Sequence, residues 1–98
     1  MVHKVELSRP AKRDLQDVIK YVSADNPEIA ERFGRFLLSK TKALAQFPEM
    51  GRAVPEFRDS SVREIIVRSY RVIYRLDRAK RIVEIIRFWH AARGIPQL

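Results

Sequence analysis

The last third of the chain contains three runs of β-branched and aromatic residues, at positions 63–67, 70–77 and 82–90, separated by short polar breaks. Such residues favour strands, and short breaks between them favour hairpin turns. The pattern therefore predicts three consecutive antiparallel strands, a meander. A small sheet of this kind is stable only when one of its faces packs on another layer, so the rest of the chain must supply that layer.

Two amphipathic helices are predicted to form the second layer. Apolar residues recur at helical spacing from Ser8, an N-cap residue, and predict a first helix over 9–24. A second helical pattern starts after Asn26 and continues until Pro48 ends it. The short connection between them predicts an antiparallel hairpin. Gly34 lies inside the second pattern and marks either a weak point or a close approach of the two helices.

These elements define an α+β fold in a single domain over residues 1–98. An N-terminal strand at 4–7 precedes the two-helix hairpin, which packs on a small antiparallel sheet with the C-terminal three-stranded meander. Residues 47–56, with two prolines and a glycine, form an irregular crossing segment. Strict alternation along the last two strands predicts an apolar face towards the helices and a mixed face that stays accessible. It groups the side chains as Tyr70, Val72, Tyr74 and Leu76 against Arg71, Ile73, Arg75 and Asp77, and as Ile82, Glu84, Ile86 and Phe88 against Val83, Ile85, Arg87 and Trp89.

Positive charge is concentrated with the meander. The 98 residues carry 20 Lys and Arg against 12 Asp and Glu, a net charge of +8. Residues 58–98 hold ten basic and four acidic residues, a net of +6, whereas residues 1–57 hold ten and eight, a net of +2. A basic balance of this size indicates an acidic partner: nucleic acid, an acidic protein or an anionic membrane. Arginine outnumbers lysine nine to one in 58–93, which favours a binding role.

Five basic residues are the candidate target-binding or phosphate-binding set. Arg63, Arg71 and Arg87 lie on three successive strands, and His90 and Arg93 follow. Side by side, they would form a cationic patch that binds phosphate or carboxylate. The alternative is a solvated face with ion pairs to Glu64, Asp77 and Glu84. His90 is either a general acid or base, or, more commonly for a single histidine, a strand-end residue satisfied by the backbone.

Several classes of function are excluded or disfavoured. The chain has no cysteine, so disulfides and thiolate zinc sites are excluded. The two histidines, His3 and His90, do not have the spacing of metal ligands, and no motif indicates a cofactor. No apolar run reaches the length of a membrane span, and the charged start does not resemble a signal peptide. We therefore expect a cytoplasmic protein without a membrane partner.

The order of elements and several short phrases resemble the ParE/RelE toxin superfamily over nearly the whole chain. No single phrase is decisive, but their order and spacing together are fairly specific. The phrases are Ala11–Leu15 with Tyr21, Asn26-Pro27, Phe47–Arg52, Val62–Glu64, Tyr70–Arg75 and Ile86–Arg93. The resemblance implies the toxin of a type II toxin–antitoxin pair. It also implies a cognate acidic antitoxin as partner and a toxin–antitoxin hetero-oligomer.

The superfamily has two branches, and the resemblance implies a different target for each. RelE-like toxins cleave mRNA on the ribosome, and for that activity the matching residues are Arg71, Arg63 near a lysine position, and His90 as a substitute base. Ile65 stands where a second basic residue is wanted, and no tyrosine follows position 74. This incomplete set favours the ParE-like branch, which inhibits DNA gyrase. The alternatives are a ribosome-dependent endoribonuclease and a basic interaction domain that has lost toxicity.

Overall fold

The computed structural model describes residues 2–98 and places two helices on one face of a five-stranded sheet in the order β1-β5-β4-β3-β2. The elements are β1 (Lys4–Leu7), α1 (Arg9–Ser23), α2 (Pro27–Lys42), β2 (Arg52–Ala53), β3 (Val62–Val67), β4 (Tyr70–Asp77) and β5 (Ile82–His90), with 3₁₀ turns at Ala43–Ala45 and Ala91–Arg93. The predicted α+β fold is confirmed: the N-terminal strand, the helix hairpin and the C-terminal meander all form.

The sheet is mixed because β1 runs parallel to β5, whereas β2, β3, β4 and β5 are antiparallel neighbours. The antiparallel meander of β3, β4 and β5 is as predicted. Ser8 fixes the start of α1 against the same strand. Its N–H donates to the carbonyl of Ile85 at 2.9 Å, and its hydroxyl donates to that of Ile86 at 2.9 Å. The hydroxyl also accepts from the N–H of Ala11, the capping role expected from the sequence. The first helix is therefore attached to β5 at its first turn.

The second helix is shorter than the apolar pattern predicts. Asn26 caps it by accepting from the N–H groups of Glu28 and Ile29, as expected. After Lys42 the chain tightens into a 3₁₀ turn, and the carbonyl of Ala45 accepts from the N–H of His3 at 2.7 Å. This contact ties the end of the helical region to the N-terminal strand. Apolar spacing alone does not distinguish a continued α-helix from this tighter turn.

The two helices approach each other closely at Gly34. A Cβ atom at this position would lie 2.9 Å from Cδ1 of Ile19 on α1. The close approach considered from the sequence is therefore present. In residues 2–98, neither helix combines the length and apolar character needed to cross a bilayer.

The main core lies between the helices and the sheet, and a β-bulge in β5 decides which residues belong to it. Tyr74 pairs with Ile85 and Ile73 pairs with Arg87, so Ile86 is an extra residue. As a result, the side chains of β5 change face at this point. Val83, Ile85 and Phe88 join the main core, whereas Ile86 and Trp89 pack on the opposite face. The strict alternation predicted for β5 therefore holds as far as Ile86 and is wrong beyond it.

The face opposite the helices is largely covered, which corrects the prediction that it stays accessible. Its apolar cluster consists of Val54, Val62, Ile73, Ile86 and Trp89, with Phe57 packed against it. Residues 54–57 cross over this face, and the C-terminal tail reaches it through a hydrogen bond from Nε1 of Trp89 to the carbonyl of Gly94 at 3.1 Å. Burial of these apolar side chains favours the covered arrangement.

The crossing segment contains a short strand, β2, that the sequence did not predict. It is held beside β3 by the contact between Gly51 and Tyr74. The fully buried Tyr74 accepts from the N–H of Gly51 at 3.0 Å and donates its hydroxyl proton to the carbonyl of Pro48 at 2.7 Å. A Cβ atom at Gly51 would lie 2.5 Å from the Tyr74 hydroxyl and 2.7 Å from the carbonyl oxygen of Glu64. Only glycine fits at this position.

Candidate functional site

Arg71 is buried in a network of ion pairs on the face opposite the helices. Its Nε donates to Glu64 at 2.6 Å, and its two terminal nitrogens donate to Glu56 at 2.6 and 2.7 Å. The second oxygen of Glu64 accepts from Nε of Arg52 at 2.8 Å. The Glu64 side chain is completely buried and that of Arg71 is 10% exposed. Two carboxylates and two guanidinium groups thus form an electrically balanced set.

The pKa values in this network follow from the direct ion pairs. Hydrogen bonding to Arg71 lowers the pKa of Glu56 from 4.5 to about 2, against a smaller opposing effect of desolvation. The pKa of Arg71 is raised, first by Glu56 and then by Glu64. The charge of Arg71 is therefore compensated within the fold. Glu64 is one of the ion-pair partners expected from the sequence if the basic face is solvated rather than used for binding.

Arg87, which pairs with Ile73 across β4 and β5, is engaged in the same way by a carboxylate of α1. Its Nε and NH2 donate to the two oxygens of Asp14 on α1 at 2.6 and 2.8 Å. Asp14 also accepts from the N–H of Phe88 at 3.0 Å, at the part of β5 that extends beyond β1. The pKa of Arg87 is raised by this carboxylate. Its remaining terminal nitrogen donates to the carbonyl of Gln97, so Arg87 joins helix, sheet and tail.

Arg93 stacks on Trp89. Its guanidinium carbon lies 4.0 Å from the centroid of the indole ring, and that of Arg87 lies 4.9 Å away. A cation over an aromatic face is attracted by the ring quadrupole. Arg93 itself is exposed, which leaves one edge of its guanidinium open to solvent.

His90 lies beside the helices, in a small cleft of about 130 Å³. Its Nδ1 accepts from the N–H of Ala92, as in the backbone-satisfied interpretation, so the Nε2 atom carries the proton of the neutral ring. The ring makes an edge contact with Tyr70 at 5.1 Å between centroids. Arg93 and Tyr21 line the same cleft. The proximity of Tyr21 to His90 was not predictable from the sequence, because α1 and β5 are far apart in the chain.

The three residues of the ribonuclease alternative do not lie together. His90 pairs with Tyr70, and Arg63 pairs with Tyr74, which places both on the helix-facing side of the sheet. Arg71, next to Tyr70 on the same strand, is on the opposite side. Tyr70 and Tyr74 are four residues apart, so Arg63 and His90 are separated by about 13 Å along β4. Arg63 donates through NH1 to the carbonyls of Gly51 and Glu49 at 2.8 and 3.3 Å.

An apolar groove along α2 and the end of β3 is the main feature that sequence analysis missed. One hollow, of about 570 Å³, is lined by apolar residues of both helices with Arg32 and Arg68. A second, of about 380 Å³, shares Phe36 and Arg68 with the first and reaches the end of β3. We call the two together the α2 groove. Its apolar lining residues are Val22, Ile29, Phe33, Phe36, Ala43, Met50, Ile65, Ile66 and Val67.

The rim of the α2 groove is basic. The guanidinium of Arg68 lies 4.8 Å from the ring centroid of Phe36, and the ammonium of Lys40 lies 5.1 Å from it. The outer edge of β3 is also open beside the groove, because β2 pairs only with Arg63 and Glu64. The sequence assigned the apolar residues of α2 to the core. The apolar residues of α2 that line the groove are exposed where the sheet does not extend beneath the helix. Helical periodicity carries no information about the extent of the sheet.

The chain shares its fold with chains of solved toxin–antitoxin systems and with a solved toxin. A chain of the chromosomal ParDE toxin–antitoxin system from P. aeruginosa matches with a TM-score of 0.75 and 21% identity, over 91% of this chain and 96% of that one. A chain of the RelBE2 toxin–antitoxin complex from Mycobacterium tuberculosis matches with 0.65 and 22%, over 92% and 99%. A mutant of the E. coli toxin RelE in the free state matches with 0.66 and 18%, over 96% and 88%.

These likenesses show that the chains share one α+β fold. No curated relative matches the sequence significantly. The family model for the ParE toxin of the type II toxin–antitoxin system parDE matches residues 5–95. The chain therefore belongs to the ParE toxin family, and it is the toxin component of a type II toxin–antitoxin system.

Proposed function

We propose that this toxin acts in the cytoplasm by inhibiting DNA gyrase and that a cognate acidic antitoxin neutralises it. The observation that carries the choice of target is the separation of Arg63, Arg71 and His90. RNA cleavage through the 2′-hydroxyl requires a base, an acid and cationic groups within hydrogen-bond reach of one phosphate. With Arg71 on the opposite face from the other two, this chain offers no single point at which one phosphate meets all three.

The charge state of Arg71 supports the same conclusion. A guanidinium stabilises a developing negative charge best when it is preorganised and uncompensated. Arg71 is already bound by both oxygens of Glu56 and by one oxygen of Glu64. A phosphate would have to displace a bidentate carboxylate from a largely buried position, which is unfavourable. Arg71 thus fits a structural role in this toxin.

The ribonuclease alternative retains one favourable observation, the cleft around His90. Nε2 of His90, the Tyr21 and Tyr70 side chains and Arg93 border the same space. A histidine and phenols are suitable groups for acid–base chemistry on a phosphate, and a guanidinium is suitable for stabilising its charge. The neighbouring Asp14 and Asp17 carboxylates are unfavourable for binding a polyanion there.

The antitoxin is proposed to occupy the α2 groove. The groove presents apolar side chains inside a rim of Arg32, Lys40 and Arg68. An amphipathic helix with an acidic polar face would bury its apolar side in the groove and place carboxylates beside these three cations. The open edge of β3 next to the groove could accept a strand of the same partner. The ParDE and RelBE2 chains that share this fold belong to toxin–antitoxin systems, which supports a partner of this kind.

A paired assay distinguishes the two targets. Purified toxin is added to a gyrase supercoiling reaction, and the same preparation is added to translating ribosomes for toe-printing. We expect loss of supercoiling and accumulation of cleaved DNA complexes, reversed by the antitoxin, with no new toe-prints. The diagnostic variant is His90→Gln, which removes the base named for the ribonuclease alternative and would abolish RNA cleavage by that route. Toe-prints that vanish in His90→Gln, with normal supercoiling, would instead establish the ribonuclease.

A further inference from the structure

A cationic groove lies at the end of the sheet where β3 begins and β4 ends. It has a volume of about 430 Å³, and its charged lining residues are Arg63, Arg75, Asp77 and Arg78, with Ser60 and Ser61 beside them. The α2 groove includes Val67 and Arg68, at the other end of β3. Since β3 spans Val62 to Val67, the two sites are about 17 Å apart along the strand. The cationic groove is thus separate from the proposed antitoxin surface.

Two of the three arginines in this groove have no carboxylate partner. In residues 2–98, Arg63 is bonded only to the main-chain carbonyls of Gly51 and Glu49, and its Nε is buried without an acceptor. Arg75 is exposed and, within the described part of the chain, forms no ion pair within 4.0 Å. This contrasts with Arg71 and Arg87, whose charges are compensated by Glu56, Glu64 and Asp14.

The carboxylates near the groove do not cancel its positive charge. Asp77 accepts from the N–H of Lys80 within its own turn, and Glu49 pairs with Arg78. Asp59, whose pKa is lowered mainly by Ser61 and more weakly by Arg75, lies next to the serines. The segments 58–63 and 75–81 together carry six basic and two acidic residues, a net of +4. Glu49, and Glu84 opposite Arg75 on β5, reduce this to +2, so this end of the sheet keeps a net positive charge.

The composition of the groove identifies the ligand class. Guanidinium forks and hydroxyl groups are donors to phosphate oxygens, and the lining contains no aromatic ring on which a base would stack. We propose that the cationic groove binds the phosphate backbone of a nucleic acid without reading its base sequence. Contact with phosphates alone fixes position and contributes affinity, but it carries no direct sequence information. The proposal does not depend on gyrase being the target.

The test measures binding of purified toxin to fluorescein-labelled 20-mers as duplex DNA, single-stranded DNA and RNA, from 25 to 200 mM salt, by fluorescence anisotropy. We expect binding that weakens steeply with salt and is insensitive to sequence, since phosphate contacts release counterions. Arg75→Gln with Arg78→Gln is expected to weaken binding at least tenfold at 50 mM salt and to reduce the salt slope by about two. Arg75→Lys with Arg78→Lys keeps both charges and should retain most of the slope.

The matched control is Lys12→Gln with Arg13→Gln, which removes two exposed charges from α1 and should change affinity less than threefold. Both pairs of substitutions involve exposed residues, and circular dichroism melts verify that each variant folds. An equal loss in the two double variants would overturn the proposal, because it would reduce binding to general charge attraction. The absence of binding to any nucleic acid at 25 mM salt would also overturn the proposal. The same holds if polyglutamate binds more tightly than every nucleic acid and loses affinity in the Arg75→Gln, Arg78→Gln variant.

Discussion

Glu56 and Arg71 form a bidentate ion pair, with oxygen–nitrogen distances of 2.6 and 2.7 Å, that joins the crossing segment to the central strand of the meander. Arg71 is also bonded to the completely buried Glu64 on β3. The pair therefore closes residues 54–57 over the second apolar cluster. An arginine that appears in the sequence as a free cation on a strand is instead a cross-link between three segments of the chain.

The Glu56–Arg71 pair makes stability depend on pH in acid. The pKa of Glu56 is lowered from 4.5 to about 2, so the unfolded chain binds the proton more tightly. Its stabilisation is present above pH 4.5 and is lost as the pH falls towards 2. In Glu56→Gln, the change in the free energy of unfolding between pH 6 and pH 2 is expected to be smaller by about 1–2 kcal/mol, since solvent screens this partly exposed pair. Urea unfolding from pH 6 to 2 measures it, and Asp25→Asn, which removes an exposed carboxylate without an ion pair, is the control.

Removal of Glu64 alone should destabilise the protein more than replacement of both Glu64 and Arg71. Glu64→Ala leaves the buried guanidinium of Arg71 with only Glu56, and we expect the free energy of unfolding to fall by about 3–5 kcal/mol. Glu64→Met combined with Arg71→Met replaces both charges with apolar side chains of similar length and should cost clearly less. Chemical denaturation of the single and double variants provides the comparison. A double variant as unstable as Glu64→Ala would show that the ion pair itself, rather than an unpaired charge, dominates.

The two buried glycines should respond differently to alanine. At Gly51 the added methyl group meets the Tyr74 hydroxyl and main-chain oxygen of Glu64, neither of which moves freely. We expect Gly51→Ala to destabilise the protein by about 2 kcal/mol or more. At Gly34 the methyl group meets only the flexible end of Ile19, and the helix propensity of alanine opposes the clash. Gly34→Ala should stay within about 1 kcal/mol of the wild type. Thermal melts of both variants test this ordering.

Substitutions in the α2 groove should weaken antitoxin binding without unfolding the toxin. Ile29 and Ile66 are 53% and 55% exposed, so Ile29→Glu and Ile66→Glu remove little from the core. Each would bury an unpaired carboxylate under an acidic partner, and we expect the dissociation constant to rise at least tenfold, about 1.4 kcal/mol. Ile95→Glu, in the tail and 70% exposed, is the matched control. Titration calorimetry with the purified antitoxin measures all three, and an unchanged affinity for both groove variants would place the partner elsewhere.

Local patterns were sufficient to predict both helices, the N-terminal strand and the meander, but not β2 or the end of α2. Ser8 and Asn26 are N-caps with short-range bonds, and alternation along β4 correctly separates Val72 and Tyr74 from Ile73. The bulge at Ile86 was not predictable, because no glycine or proline marks it and its effect appears only in the pairing with β4.

The partners of the arginines depend on contacts between distant parts of the chain. Arg87 is bonded to Asp14, 73 positions earlier, and Arg71 to Glu56 in a segment without regular spacing. The sequence itself shows which residues are basic, and the strand pattern predicted the strand on which each of them lies. Whether each charge is free or compensated was decided by the tertiary structure, and so the assignment of Arg63, Arg71, Arg87, His90 and Arg93 to target binding stays a prediction.

The measurement that tests the central claim most directly is the distribution of plasmid topoisomers in bacteria after induction of the toxin without its antitoxin. Inhibition of gyrase predicts progressive loss of negative supercoiling, while messenger RNA extracted at the same times keeps its full length. Co-expression of the antitoxin should restore the original distribution. Unchanged plasmid supercoiling together with fragmented messenger RNA would contradict the account and identify the ribosome as the site of action.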